Sequence, residues 1–116
     1  MQNPEFNQKM KRIIEQSQRM YLADAAPRIA AVQAAYAEWL AGRVERAAAA
    51  ESIYSHVHAM KGVALTIHFE PMHVICEALI ELLQERKLEE ASSLVGELPA
   101  RLVECKGIAE GNGNGE

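Results

Sequence analysis

The apolar residues of this chain recur at helical spacing, and this periodicity constrains the fold more than any other feature. Ile53, Val57, Met60, Ala64 and Ile67 follow one another at intervals of three or four residues, which places them on one face of an α-helix. No segment shows the sustained two-residue alternation of a half-buried strand. The chain is rich in alanine and leucine, and aromatic residues make up only 5% of it. The sequence therefore predicts an all-α protein.

Two helical segments are predicted before the first glycine. The first begins at Pro4 and ends near residue 22. The second is capped by Asp24, with Pro27 in its first turn, and ends before Gly42, which permits a break. We therefore expect a separate N-terminal helix over residues 1–23 that packs on the rest of the domain.

Three further helices are predicted after this break. One covers residues 47–67, and Pro71 opens the next. The last runs from residue 88 to 105, with Pro99 inside it, so a kink or a split is expected there. Short connections between amphipathic helices favour antiparallel neighbours. The predicted fold over residues 24–108 is thus an antiparallel up-down four-helix bundle, with an additional N-terminal helix before it.

The end of the sequence has a different composition. Residues 109–116 consist mainly of glycine and asparagine and offer little to bury. We expect them to form a disordered tail, or a linker to a further part of a longer protein.

Charge and hydropathy exclude several classes of protein. The net charge is −4, and basic and acidic residues are interspersed, whereas a nucleic-acid binder normally shows a basic face. No apolar run reaches the roughly 18 residues of a membrane span, and the first residues lack a signal-peptide pattern. Cys76 and Cys105 both fall in apolar helical patterns, which predicts free buried thiols in a reducing compartment. We expect a cytoplasmic protein that binds neither nucleic acid nor membranes.

One histidine lies opposite the apolar face of the central helix. At about 100° per residue, His58 falls about 140° from the apolar line, on the solvent side. Lys61 follows one turn later and Gly62 is four residues on, so both are neighbours of the imidazole. Tyr54 and Leu65 occupy the same sector of the helix. The pattern predicts an exposed histidine that is surrounded on the helix surface by a lysine, a glycine, a tyrosine and a leucine.

The chemistry of this patch is that of a nucleophilic site. A neutral imidazole is a nucleophile and can hold a covalent intermediate. Lys61 can pair with an arriving phosphoryl oxygen. Gly62 costs the helix about 1 kcal/mol relative to alanine, and it clears the surface beside His58 for a partner. Tyr54 and Leu65 offer apolar contact around that opening.

The run His58-Ala59-Met60-Lys61-Gly62-Val63-Ala64, followed by Phe69 and an apolar helix after Pro71, resembles the histidine-containing phosphotransfer (HPt) domain. The resemblance covers residues 20–105. It implies a helical bundle in which His58 accepts and donates a phosphoryl group, while Lys61 and Gly62 shape the docking site. The family commonly has glycine at the position of His68, so the turn there is expected to differ, and no function is assigned to His68.

The chain is expected to depend on a partner for part of its chemistry. It has no P-loop, no kinase signature and no clustered carboxylates that could hold magnesium. The resemblance implies that the partner is a response-regulator receiver domain, whose aspartate exchanges the phosphoryl group with His58 and which brings Mg²⁺. A histidine kinase is a further partner upstream. The chain would then be a phosphocarrier with no cofactor and no self-contained active site.

Two other functions remain open from the sequence. The first is an interaction module in which His58 is an ordinary surface residue. The second is a metal-binding bundle, because His73 and Cys76 are three residues apart and could face one ion together with Cys105 and His68. No C-x-x-C or H-x-x-x-H pair supports this site.

His56 lies on the flank of the same helix, about 60° from its apolar line. We predict that it is half-buried and hydrogen-bonded. It is about 200° from His58 around the axis, so the two cannot bind one ion together.

Overall fold

A computed structural model describes residues 4–113 of the chain. Within this range the chain forms four α-helices, α1 (Pro4–Leu40), α2 (Arg46–Ala64), α3 (Glu70–Gln84) and α4 (Ser92–Gly113), with a 3-10 turn at Leu88–Glu90 before α4. No strand occurs among the described residues. The predicted all-α class is confirmed.

The helices pack in a closed ring. α1 packs mainly against α2 and α4, and α3 packs mainly against the same two helices. The side-chain amide of Gln18 on α1 donates to the carbonyl of Ile67, in the turn after α2, at 2.8 Å, and the Tyr21 hydroxyl donates to the Met60 carbonyl on α2 at 2.6 Å. Because the earlier residue of α1 contacts the later of these two positions, α1 and α2 run in opposite directions.

The first helix is continuous where two segments were expected. Asp24 does not cap a helix and Pro27 lies inside α1, although an internal proline costs roughly 3 kcal/mol or more. Packing of the residues before and after Pro27 offsets this cost, because one buried stripe extends along α1 past the proline. Its members are Gln18, Tyr21, Ala25, Ile29, Val32 and Tyr36. Arg28 also pairs with Asp24 across this turn at 2.8 Å. The additional N-terminal helix over residues 1–23 is therefore not a separate element, since residues 4–23 form the first half of α1.

The last helix is unbroken at Pro99, where a kink or split was expected. Proline has no N–H, so the carbonyl of Val95 four residues earlier loses its helical partner. Gln33 on α1 donates to that carbonyl from its side-chain amide at 3.3 Å. A residue of the neighbouring helix thus replaces the missing hydrogen bond.

The expected disordered tail is partly helical. α4 extends to Gly113, because Ile108 and Ala109 are partly buried and pack against the core. Residues 109–113 thus continue α4 in the structure, where a disordered tail or a linker was expected. The remaining part of that prediction, residues 114–116, lies outside the described residues.

Three helices end in turns of the same type. After α2, the Phe69 N–H donates to the Ala64 carbonyl at 2.7 Å, which is the long hydrogen bond of a Schellman motif. This turn places His68 at a φ of 70°, and Gly42 and Arg86 take the corresponding positions after α1 and α3 at 77° and 60°. His68 thus adopts the backbone conformation that glycine favours. The turn therefore has the positive φ that glycine would adopt, although its residue is a histidine.

Candidate functional site

His58 lies near the middle of α2 with its side chain exposed. The neighbouring positions Ile53, Val57 and Met60 are buried in the core, as the angular positions predicted. The hydrogen bond from Tyr21 ends on the carbonyl of Met60, two residues after His58. This contact with α1 holds α2 in the rotation about its own axis that turns the His58 imidazole towards solvent.

Tyr54 stacks on the imidazole of His58. The two ring centroids are 5.6 Å apart and the ring planes are inclined by 22°. Tyr54 is itself exposed, so the stacked pair stands on the surface. The tyrosine lies against one face of the imidazole and restricts its orientation, while the His58 side chain as a whole stays exposed.

Lys61 is one helical turn from His58 and points towards α3. Its Nζ is 3.8 Å from Oε2 of Glu77, and Oε1 of the same carboxylate is 3.9 Å from Nε2 of His73. Sequence reasoning missed Glu77. Its only sequence signal is the four-residue spacing from His73, since the pairing of α2 with α3 cannot be read from either segment alone.

The surface around Gly62 is open. A Cβ atom built on Gly62 would meet no other atom within 4 Å, and Leu65 at the end of the helix is exposed. On α3, the exposed Val74 lines a groove of about 520 Å³ together with Lys61 and Glu77. Val74 is a second residue that the sequence did not single out. We call Tyr54, His58, Lys61, Gly62 and Leu65 the His58 surface.

His56 has a structural role on the other flank of α2. It is half-buried, and Nη1 of Arg28 lies 3.2 Å from its Nδ1. Because a guanidinium only donates, Nδ1 acts as the acceptor and the ring proton is assigned to Nε2. The prediction of a half-buried, hydrogen-bonded histidine is confirmed, and His56 takes no part in the His58 surface.

The alternative metal site does not assemble among residues 4–113. They contain no group of three or more His, Cys, Asp or Glu side chains that could hold an ion. Cys76 and Cys105 are free and buried, as predicted, and burial raises their pKa values to about 12 and about 11. His73 lies beside Glu77, and His68 lies in the turn after α2.

The chain belongs to the Hpt domain family, because the family model matches residues 16–106, which include the whole His58 surface. Membership implies histidine phosphotransfer in a phosphorelay, and receiver domains and histidine kinases are the partners of such domains. No curated protein and no solved structure gave a match. Among residues 4–113, no helix is long and apolar enough to cross a bilayer.

Proposed function

We propose that the chain carries a phosphoryl group on His58 and exchanges it with the aspartate of a receiver domain. The observation that carries this proposal is the exposed imidazole, stacked on Tyr54 and flanked by Lys61 and the open surface at Gly62. In the forward step a nitrogen of His58 attacks phosphorus, the phosphorus–oxygen bond of the aspartyl phosphate breaks, and the carboxylate leaves. The return step reverses these changes.

The chain supplies three parts of this reaction. His58 is the nucleophile, and Tyr54 restricts its orientation. Lys61 contributes a cation beside the phosphoryl group, whose negative charge is spread over three oxygens in the transition state. The receiver domain would add Mg²⁺ and its acidic pocket.

The shape of the His58 surface suits a docked partner. The position of Gly62 leaves room next to the imidazole, and Leu65 and Val74 are exposed apolar side chains on α2 and α3. Apolar contacts around an open reactive group are what a receiver domain needs to exclude water during transfer. We place this exchange in the cytoplasm, with a histidine kinase as the source of the phosphoryl group.

The experiment compares His58→Gln with His56→Gln, a matched control two residues away. Each purified variant is incubated with phosphoimidazole or a phosphorylated receiver domain, and its intact mass is measured at neutral pH. We expect the wild type and His56→Gln to gain one acid-labile phosphoryl group, and His58→Gln to gain none, because glutamine has no imidazole nitrogen. Equal labelling of His58→Gln and the wild type would contradict the assignment, whereas an absence of labelling in every variant would favour the interaction module.

A further inference from the structure

The carboxylate of Glu77 faces the one cation that the His58 surface contains. Its Oε2 is 3.8 Å from Nζ of Lys61. Its other oxygen is 3.9 Å from Nε2 of His73, one turn earlier on α3. Nothing in the phosphotransfer step above uses Glu77, and no core contact requires a charge at this exposed position.

An acid in this place works against a phosphoryl group on His58. Lys61 is the cation that would attract the phosphoryl oxygens, and the carboxylate competes for the same ammonium group.

We propose that Glu77 is a positioning residue that draws Lys61 towards α3 and thereby keeps the phosphoryl group on His58 easy to transfer. The inference rests on the proposed function of His58. Glu77 acts through Lys61 and does not touch the reacting atoms. When Lys61 turns to the phosphoryl group, His73 remains as a neighbour of the carboxylate.

The expected effect is small but measurable. The side chain of Lys61 is 32% exposed and that of Glu77 is 60% exposed, so water and salt screen the pair. Exposed ion pairs of this kind change equilibria by about two- to fivefold. Removal of the carboxylate should therefore stabilise phospho-His58 by a factor in that range.

Glu81 provides a matched control. It lies one turn further along α3 and lines the same groove as Glu77, so Glu81→Gln removes the same charge from the same helix. Among the described residues, the ion pair with Lys61 is made by Glu77, whereas the charge of Glu81 acts on Lys87.

The experiment measures an equilibrium that needs no cognate receiver. Phosphoimidazole and His58 exchange a phosphoryl group, so that one phosphorus–nitrogen bond breaks, an equivalent bond forms, and free imidazole leaves. The full chain is equilibrated with phosphoimidazole and imidazole at low salt, and intact mass gives the phosphorylated fraction. The variants are Glu77→Gln, Glu81→Gln, Lys61→Ala and the double variant of Glu77 and Lys61, each with a thermal melt.

We expect Glu77→Gln to raise the equilibrium constant by about two- to fivefold, with the melt unchanged and Glu81→Gln equal to the wild type. The gain should disappear on the Lys61→Ala background and shrink in about 1 M salt, where the Debye length is about 3 Å. No gain, or an equal gain in Glu81→Gln, would overturn the inference while leaving His58 as the acceptor. A wild type that is labelled no more than His58→Gln would overturn both the inference and the proposed function.

Discussion

Replacement of Gly62 by leucine should separate the stability of the helix from its function. Gly62 is exposed in the interior of α2 and an added Cβ meets nothing within 4 Å, so the substitution causes no clash inside the protein. Leucine is a better helix former than glycine by about 0.7 kcal/mol. Stability should therefore increase by that amount, which raises Tm by about 3 °C in a domain of this size.

The same leucine should obstruct the partner. It fills the cleared space beside His58, which a receiver domain must approach, while a small donor still reaches the imidazole. We expect labelling of Gly62→Leu by phosphoimidazole to stay near the wild-type level. Labelling by a receiver domain that phosphorylates the wild type should fall at least about tenfold, which corresponds to roughly 1.4 kcal/mol of lost docking or transition-state energy.

Gly107→Leu is the matched control for this prediction. Gly107 is also exposed inside a helix, α4, and has equally open space around its Cβ position. It should raise Tm by a similar amount and leave labelling by the receiver unchanged. The reasoning is refuted if Gly62→Leu accepts phosphoryl groups from the receiver at the wild-type rate, or if it lowers Tm while Gly107→Leu raises it.

Three further substitutions test the turn, the interhelix contact and the cation. His68→Gly should raise the free energy of unfolding by about 0.5–1 kcal/mol in chemical denaturation, because a positive φ strains residues other than glycine; a loss of stability would show that the His68 side chain outweighs this strain. Tyr21→Phe should cost about 1 kcal/mol, because it removes the buried hydrogen bond to the Met60 carbonyl and keeps the ring; an unchanged denaturation midpoint would mean that this bond contributes nothing to stability. Lys61→Ala should slow receiver-dependent labelling by about three- to tenfold without abolishing it, because lysine steadies charge but accepts no phosphoryl group; a complete loss in a quenched-flow time course would assign Lys61 a larger role.

The exposed face of the central helix could be predicted because it depends on local geometry alone. The angular position of His58 follows from its spacing to Val57 and Met60, and the helix preserves that relation wherever it packs. The position of Tyr54 beside His58 and the exposure of Gly62 follow from the same helical spacing. These residues form the part of the site that one helix contains.

Features that depend on a second helix could not be predicted. Pro99 stays inside a helix, and the Val95 carbonyl that lost its partner accepts a hydrogen bond from the side-chain amide of Gln33. Gln33 lies on α1, 62 residues before Val95 in the sequence. Pro27 resembles a helix start until the buried stripe of α1 is seen to continue through it. Glu77 was missed for the same reason, since its partner Lys61 lies on another helix.

The most direct test of the account is to locate the phosphoryl group within the labelled chain. The sequence contains four histidines, so tandem mass spectrometry at neutral pH can assign the modification to one of them after incubation with a phosphorylated receiver domain. The account predicts that the phosphoryl group is found on His58 and that acid removes it. A phosphoryl group on His56, His68 or His73, or one that survives acid, would contradict the central claim.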